Sequence, residues 1–198
     1  TRTAYHPTGE IKAVWGDQTN PTYRIYDEQN RLTGLRTYRD IGHNVEPTSS
    51  TAGFDPTAWN YHPQRGWLVS KRDASNQGAD YNYSLAGRLA TRQWARTVSG
   101  STRLTTTYGY DTGELVSTVY NDGITPDVTY AYDAFGRQTE VTQQGNSWTY
   151  TYDPATLLLD KETVSYDTDN DGTGDFTRVL DRSHDSKLRP TGYQVKNG

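Results

Sequence analysis

The chain has no cysteine and no methionine, and only 32% of its 198 residues are hydrophobic. Without cysteine there are no disulfides, no thiol nucleophile and no Cys-type zinc site. No strictly apolar run exceeds three residues, as in Leu157-Leu158-Leu159, far short of the ~20 residues of a membrane-spanning helix. A basic run is also missing, and the isoelectric point is near 5.5, which argues against a nucleic-acid partner. No signal-peptide pattern opens the sequence. Because it begins at Thr1 and contains no Met, it reads as a piece of a longer polypeptide, so the missing signal says nothing about export.

What is present changes the picture. An apolar fraction this far below the usual ~45–50% would suggest disorder on its own. But disordered chains lack aromatics and usually carry a large net charge. Here the net charge is only -4, and 16 Tyr and 5 Trp bring the aromatic share to 12%. Tyr, Trp and Thr are strand formers. The length suits one domain, so residues 1–198 are expected to form a single unit.

A tyrosine followed by a turn recurs along the whole sequence. The copies begin at Tyr5, Tyr26, Tyr61, Tyr83, Tyr110, Tyr132 and Tyr152, with a decayed copy at His184. Their spacings are 21, 35, 22, 27, 22, 20 and 32 residues, a base period with three insertions. Asp27, Asp111, Asp133, Asp153 and Asp185 stand at the first turn position, where the side chain caps its own backbone. His6 and His62 take that place in two copies. Pro7, Pro63 and Pro154 follow it, and proline already has the φ that position needs. Gly9, Asn30, Gly87 and Gly136 occupy the fourth position, where positive φ is expected. Each copy is therefore predicted to be a hairpin tip: a type I turn followed by a left-handed residue.

The flanks alternate with a period of two, as in Val128 to Tyr132 and Trp148 to Tyr152. That marks strands with two unlike faces. Asn121-Asp122-Gly123 and Gln144-Gly145-Asn146 are predicted to turn the opposite ends. The fold class is all-β: a repetitive antiparallel hairpin meander with almost no helix. Tyr130, Tyr132, Tyr150 and Tyr152 are expected to form a ladder of rings across neighbouring hairpins. Arg31, Arg88, Arg137 and Arg189 follow their turns at one fixed place. They are expected to stack on the next copy or to pair with its Asp or carbonyls.

The segment Tyr132-Asp133-Ala134-Phe135-Gly136-Arg137-Gln138-Thr139 resembles the YD repeat, also called the RHS repeat, as do Tyr26 to Thr33 and Tyr83 to Thr91. The likeness runs through nearly the whole chain. It implies a β-strip that spirals into a hollow shell, as in bacterial RHS proteins, the B and C subunits of toxin complexes and the teneurins. It also implies an exported or cell-surface protein whose partners are the remaining repeats of the same polypeptide. Nothing in the 198 residues resembles the family's self-cleaving core, so only the scaffold role carries over.

Two insertions stand out. The first, Arg39 to Ala58, reads as a long loop carrying His43 and Glu46. The second, residues 167–175, fits D-x-D-x-D-G-x-x-D through Asp167, Asp169, Asp171 and Asp175. Alternating oxygens with a Gly for the sharp turn are what a calcium loop needs. A twelfth-position carboxylate is replaced by Arg178, with Asp181 further along. The other reading is an acidic hairpin tip turning at Asn170-Asp171-Gly172 between strands at Val164 to Tyr166 and Phe176 to Val179. No G-x-S-x-G or H-E-x-x-H is present, and the sequence reads as non-enzymatic. Trp15, Trp59, Trp67 and Trp94 either stack on glycans or a cell-surface receptor, or lie on the covered face of the sheet. Open sheet edges are expected to favour self-association.

Overall fold

The computed structural model describes residues 1–169 and 171–198. Every regular element among them is a β-strand. The chain divides into two compact units, Thr1–Arg103 and Leu104–Gly198. The first holds β1 (Arg2–Tyr5), β2 (Ile11–Gly16), β3 (Thr19–Tyr26), β4 (Leu32–Tyr38), β5 (Phe54–Tyr61), β6 (Leu68–Arg72), β7 (Gly78–Tyr83) and β8 (Leu89–Ser99). The second holds most of β9 (Thr102–Asp111), then β10 (Glu114–Tyr120), β11 (Val128–Tyr132), β12 (Gln138–Gln143), β13 (Asn146–Tyr152), β14 (Leu159–Tyr166), β15 (Phe176–His184) and β16 (Pro190–Asn197). Within each unit the strand order follows the chain order, and each strand is antiparallel to its neighbours. This is the open antiparallel meander that the period-two flanks predict.

The repeat tyrosine, or His184 in the last copy, stands at the end of the incoming strand (one residue before its end at Tyr110), and the pairing slips by one residue just before it. In the second hairpin Ile25 pairs with Gly34 but Tyr26 pairs with Leu32, leaving Thr33 as the extra residue. The same bulge recurs beside Tyr5, Tyr61, Tyr83, Tyr110, Tyr132, Tyr152 and His184. A bulge bends its strand and increases the local twist, so one irregularity is built into all eight hairpins at the same place.

Five copies close with the expected turn. Asp133 N donates to Arg137 O at 2.9 Å and Gly136 N to Asp133 O at 3.0 Å, with equivalent bonds at His6, Asp27, Ser84 and Asp185. Gly9, Asn30, Gly87 and Gly136 all have positive φ, as predicted, and Leu157 and Leu188 take the same conformation in their copies. The loops at His62 and Asp153 are one residue longer, bonding His62 N to Trp67 O and Asp153 N to Leu158 O. The Tyr110 copy departs from the expectation. Asp111 pairs directly with Glu114, and Thr112 and Gly113 both have positive φ. That is a two-residue hairpin turn of the primed kind, and its shortness explains why the copy lacks the Gly-Arg pair.

Little of the chain is buried. In the first unit Ala13, Trp15, Tyr23 and Tyr38 form a small core, with Ala4, Ile25, Ile41 and Phe54 against it. The first insertion supplies its cover. Pro47 is fully buried, the Tyr38 hydroxyl donates to Thr51 O at 3.3 Å, and Gly16 N donates to His43 O at 2.7 Å. The unpaired part of this insertion is shorter than expected, because Phe54–Tyr61 is already β5. Among the described residues of the second unit, Leu104, Thr106, Thr118 and Asp167 are the buried ones. Both units are thin sheets rather than packed sandwiches.

The left-handed turn position generates a testable pair. A branched residue there costs roughly 1 kcal/mol or more relative to Gly. Leu188→Gly is expected to raise thermal stability by about 1 kcal/mol. Gly87→Ala is expected to lower it by at least that much, because φ is +83° and a Cβ would stand 2.8 Å from the Trp67 ring. Thermal melts of the two variants read the opposite signs.

Candidate functional site

The recurring site is the turn itself. The Asp27 carboxylate accepts Gln29 N at 3.0 Å and Arg31 N at 2.9 Å on Oδ1, and Arg31 Nε at 2.7 Å on Oδ2. Asp133 with Phe135 and Arg137, and Asp185 with Lys187 and Arg189, repeat the pattern within 0.1 Å. The arginine therefore pairs with the Asp of its own turn, not of the next copy as expected. Four residues separate the two, and the turn folds that distance back on itself. His62 imitates the Asp: its Nδ1 faces Gln64 N and Arg65 N, both at 3.3 Å. That assigns the ring proton to Nε2.

The contact with the next copy is made through rings. The Arg137 guanidinium lies 4.2 Å from the centroid of Tyr152 and Arg31 lies 4.7 Å from Tyr61. Arg137 also donates to Leu157 O at 3.0 Å, the next-copy carbonyl contact that was expected. In the third copy Trp67 stands in the arginine's place, its ring 4.9 Å from Tyr83. The tyrosine ladder is not formed. In register, Val141 separates Tyr130 from Trp148, and Tyr150 faces Glu162.

A second link joins successive hairpins, and sequence reasoning missed it. Tyr26, Tyr61, Tyr83, Tyr132 and Tyr152 each donate their hydroxyl to a backbone carbonyl of the preceding hairpin: Ile11, Leu32, Leu68, Leu115 and Gln138, at 2.9–3.0 Å. The acceptor is always the residue just before the bulged one. Burial pushes the phenols of Tyr83 and Tyr132 above the ordinary range, with Tyr81 acting on the first and Glu114 and Tyr130 on the second. They stay protonated and remain donors.

Other residues were also missed. Asp73 makes the repeat turn at the opposite end of a hairpin, accepting Ser75 N and Gln77 N at 2.9 and 2.8 Å. The signal was there in Asp73-Ala74-Ser75-Asn76, with Asp first and Asn fourth. Asp80 is held between Arg72 and Arg103, and Arg103 Nε also donates to Trp94 O at 2.5 Å. No local spacing announces a pair 23 residues apart.

The tryptophans proposed for glycan stacking are not open platforms. Trp15 is buried. Trp59, Trp67 and Trp94 are half-buried, with Lys71, Arg65 and Arg92 over their rings. In the first insertion His43 Nδ1 meets Thr19 O at 3.2 Å, so it fastens the loop, and Glu46 reaches Lys12 at 3.9 Å. In the acidic loop Asp167, Asp169 and Asp175 converge, each offering a carboxylate oxygen within 4.8 Å of the others. Asp171 does not join them: its carboxylate takes Thr173 N at 2.8 Å. Asp181 lies on β15, paired in register with Lys161 and bonded to Lys196. Asn170 of the expected Asn170-Asp171-Gly172 turn lies outside the described residues.

The family model of the RHS repeat matches residues 111–143. No curated protein sequence is matched. Similar solved structures include a crystal structure of TcdB2-TccC3 (TM-score 0.49, 14% identity, 96% of this chain and 12% of that one). Another is TcdB2-TccC3 without its hypervariable C-terminal region (TM-score 0.47, 13% identity, 98% and 14%). A third is the Photorhabdus luminescens Tc holotoxin pore (TM-score 0.48, 14% identity, 96% and 12%). The chain thus spans a small part, 12–14%, of the length of these proteins.

Two predictions follow from the turn chemistry. Tyr132→Phe removes one hydroxyl and leaves the Leu115 carbonyl unpaired in a part-buried place. It is expected to cost about 1 kcal/mol, read as a lower melting midpoint with an unchanged far-UV spectrum. The second concerns acid. At Asp27 and Asp133 burial raises the carboxyl, but the bonds from Arg31 and Gln29, and from Arg137 and Phe135, together hold it below its ordinary value of 3.8. At Asp185 the Arg189 side chain and backbone bonds do the same. A depressed folded pKa means the unfolded chain takes up protons first as pH falls. The stabilisation is complete above the ordinary Asp range and is lost as pH falls through the folded values. Melting temperature should therefore be flat from neutral pH to about pH 5 and drop below about pH 4. A flat profile down to about pH 2.5 would remove the Asp–Arg turn from the list of stabilising elements.

Proposed function

We propose that this chain is a structural wall segment of an RHS/YD-repeat shell belonging to a large exported protein, without a catalytic role of its own. The observation that carries the reading is the eightfold bulged hairpin, in which the most regular chemistry serves to fasten one turn to the next. Residues 111–143, which match the RHS repeat, contain one complete turn of this kind, Asp133 to Arg137.

The geometry supports a scaffold in a second way. Arg, Tyr and Asp would be the natural candidates for chemistry, but in the turns they are spent on one another. Asp133 is saturated by backbone and Arg137, and the Tyr132 hydroxyl is committed to Leu115. No helix among the described residues is long and apolar enough to cross a membrane.

The remaining repeats of the same polypeptide would be the chief partners. β16 is exposed along its whole length, with Tyr193 and Val195 uncovered, and among the described residues it pairs with β15 alone. An unpaired edge of this kind templates a further strand, and in the intact protein that strand would be the next hairpin.

Two measurements test the proposal. Electron microscopy of the full polypeptide should show a closed, hollow body with this segment in its wall; an extended, non-enclosing particle would overturn it. The isolated 198-residue chain should self-associate through its open edges, so light scattering should show a mass that rises with concentration. A clean monomer at millimolar concentration would show that the edges are blunted.

A further inference from the structure

The second insertion closes the β14–β15 hairpin at the end opposite the repeat turn, and it does so with acid. Asp167 accepts Gly172 N on Oδ2 at 2.9 Å, Asp169 accepts Asp171 N on Oδ1 at 3.1 Å, and Asp175 accepts Thr168 N on Oδ2 at 2.7 Å. Each carboxylate thus uses one oxygen to fold the loop. A carboxylate oxygen from each of the three converges within 4.8 Å, and among the described residues none of the three forms an ion pair.

One of them is not on the surface. Asp167 is only 8% exposed, and its Oδ1 is buried with no hydrogen-bond partner among the described residues. Burying an unpaired carboxylate oxygen costs free energy unless something positive or hydrogen-bonding meets it. The neighbours make this worse, because Asp169 and Asp175 bring two further carboxyl groups to the same place.

We propose that Asp167, Asp169 and Asp175 bind one calcium ion. A calcium ion sits about 2.3–2.6 Å from its oxygen ligands, so oxygens up to about 5 Å apart can share one. The ligands are all hard oxygen, from carboxylates on a loop, which suits calcium's loose geometry better than the strict octahedron of magnesium. Three carboxylates leave room for backbone carbonyls and water in the remaining positions. Asp167 N also donates to the Asn146 side-chain oxygen at 3.2 Å, and the Asp167 carboxylate lies so close over Gly145 that a Cβ there would stand 2.1 Å from Oδ2. The ion would therefore lock the end of the β14–β15 hairpin onto the turn between β12 and β13.

Calorimetric titration of the chelator-treated 198-residue protein with calcium chloride tests this. One site is expected, with a dissociation constant of about 0.1–1 mM, as in exposed extracellular calcium modules. Ten millimolar calcium should raise the melting temperature, and the same concentration of magnesium should do so far less. Asp169→Asn, at an exposed position, should weaken calcium binding at least about tenfold, while its melting temperature in chelator should not fall, because the amide oxygen still accepts Asp171 N and one repelling charge is gone. Asp175→Asn should also weaken binding, with some loss of loop stability because a neutral amide oxygen holds Thr168 less tightly than a carboxylate does. No heat and no thermal shift in about 10 mM calcium would overturn the proposal. So would a calcium response that survives undiminished in Asp169→Asn, or one that magnesium reproduces in full.

Discussion

A one-layer sheet has no interior in which successive hairpins can bury themselves against one another, so the link between hairpins must be made within the sheet. Here the decisive link is a tyrosine hydroxyl given to a backbone carbonyl. The ladder between neighbouring hairpins stops short of the turns: β10 and β11 pair only as far as Ser117 and Thr129, and β12 and β13 only as far as Glu140 and Thr149. Beyond those points the backbones no longer bond, and Tyr132 and Tyr152 span the gap to Leu115 and Gln138. The bulge matters because the carbonyl used is always that of the residue before the extra one, where the hairpin's own ladder is interrupted. Phenylalanine would cover the same area without this bond, which accounts for five of the 16 Tyr in a chain with only 3 Phe.

The residue beside that carbonyl tolerates more variety. Arg31 and Arg137 bind their own Asp and lie over the following tyrosine. Trp67 offers a ring to Tyr83 instead, and Glu114 occupies the place before Leu115. A flat guanidinium and an indole are alike as platforms for a tyrosine ring. The same side chains press on the next turn: Arg31 on Gly66 and Trp67 on Gly87. Glycine in those turns thus answers two demands, a positive φ and the closeness of the preceding copy. Leu157 and Leu188 meet the same backbone demand under strain.

Much of this was legible in the residues. Alternation gave the strands, and Asp, Pro, Gly and Asn gave the turns with their left-handed positions. Contacts within one turn or one strand depend on spacing that can be counted. What stayed hidden depends on which strand lies beside which, and at what register. The ladder of rings failed because Val141 sits between Tyr130 and Trp148. The arginine was assigned to the wrong aspartate because a turn brings residues four apart together, just as a neighbouring strand brings distant ones together. Of the acidic loop, the sequence indicated a cluster but not its membership. Alternation along D-x-D-x-D treats Asp171 as equal to Asp167 and Asp169, whereas the chain turns there and sends Asp171 to Thr173.

The two insertions show how a thin strip departs from its own rule. Between β4 and β5 the added residues fold back over the sheet, burying Pro47 with Tyr38 beneath. That patch joins the buried core of the first unit, which holds Trp15, Tyr23 and Tyr38. Elsewhere the strip manages without a cover, because each hairpin needs only its ladder, its capped turn and its tyrosine. A low apolar fraction is then a requirement rather than a weakness. A sheet with one layer presents both faces, and aliphatic side chains in quantity would make both faces adhesive. Tyrosine and threonine resolve the conflict, since each offers strand propensity and covered carbon while keeping a hydroxyl for water or for the backbone.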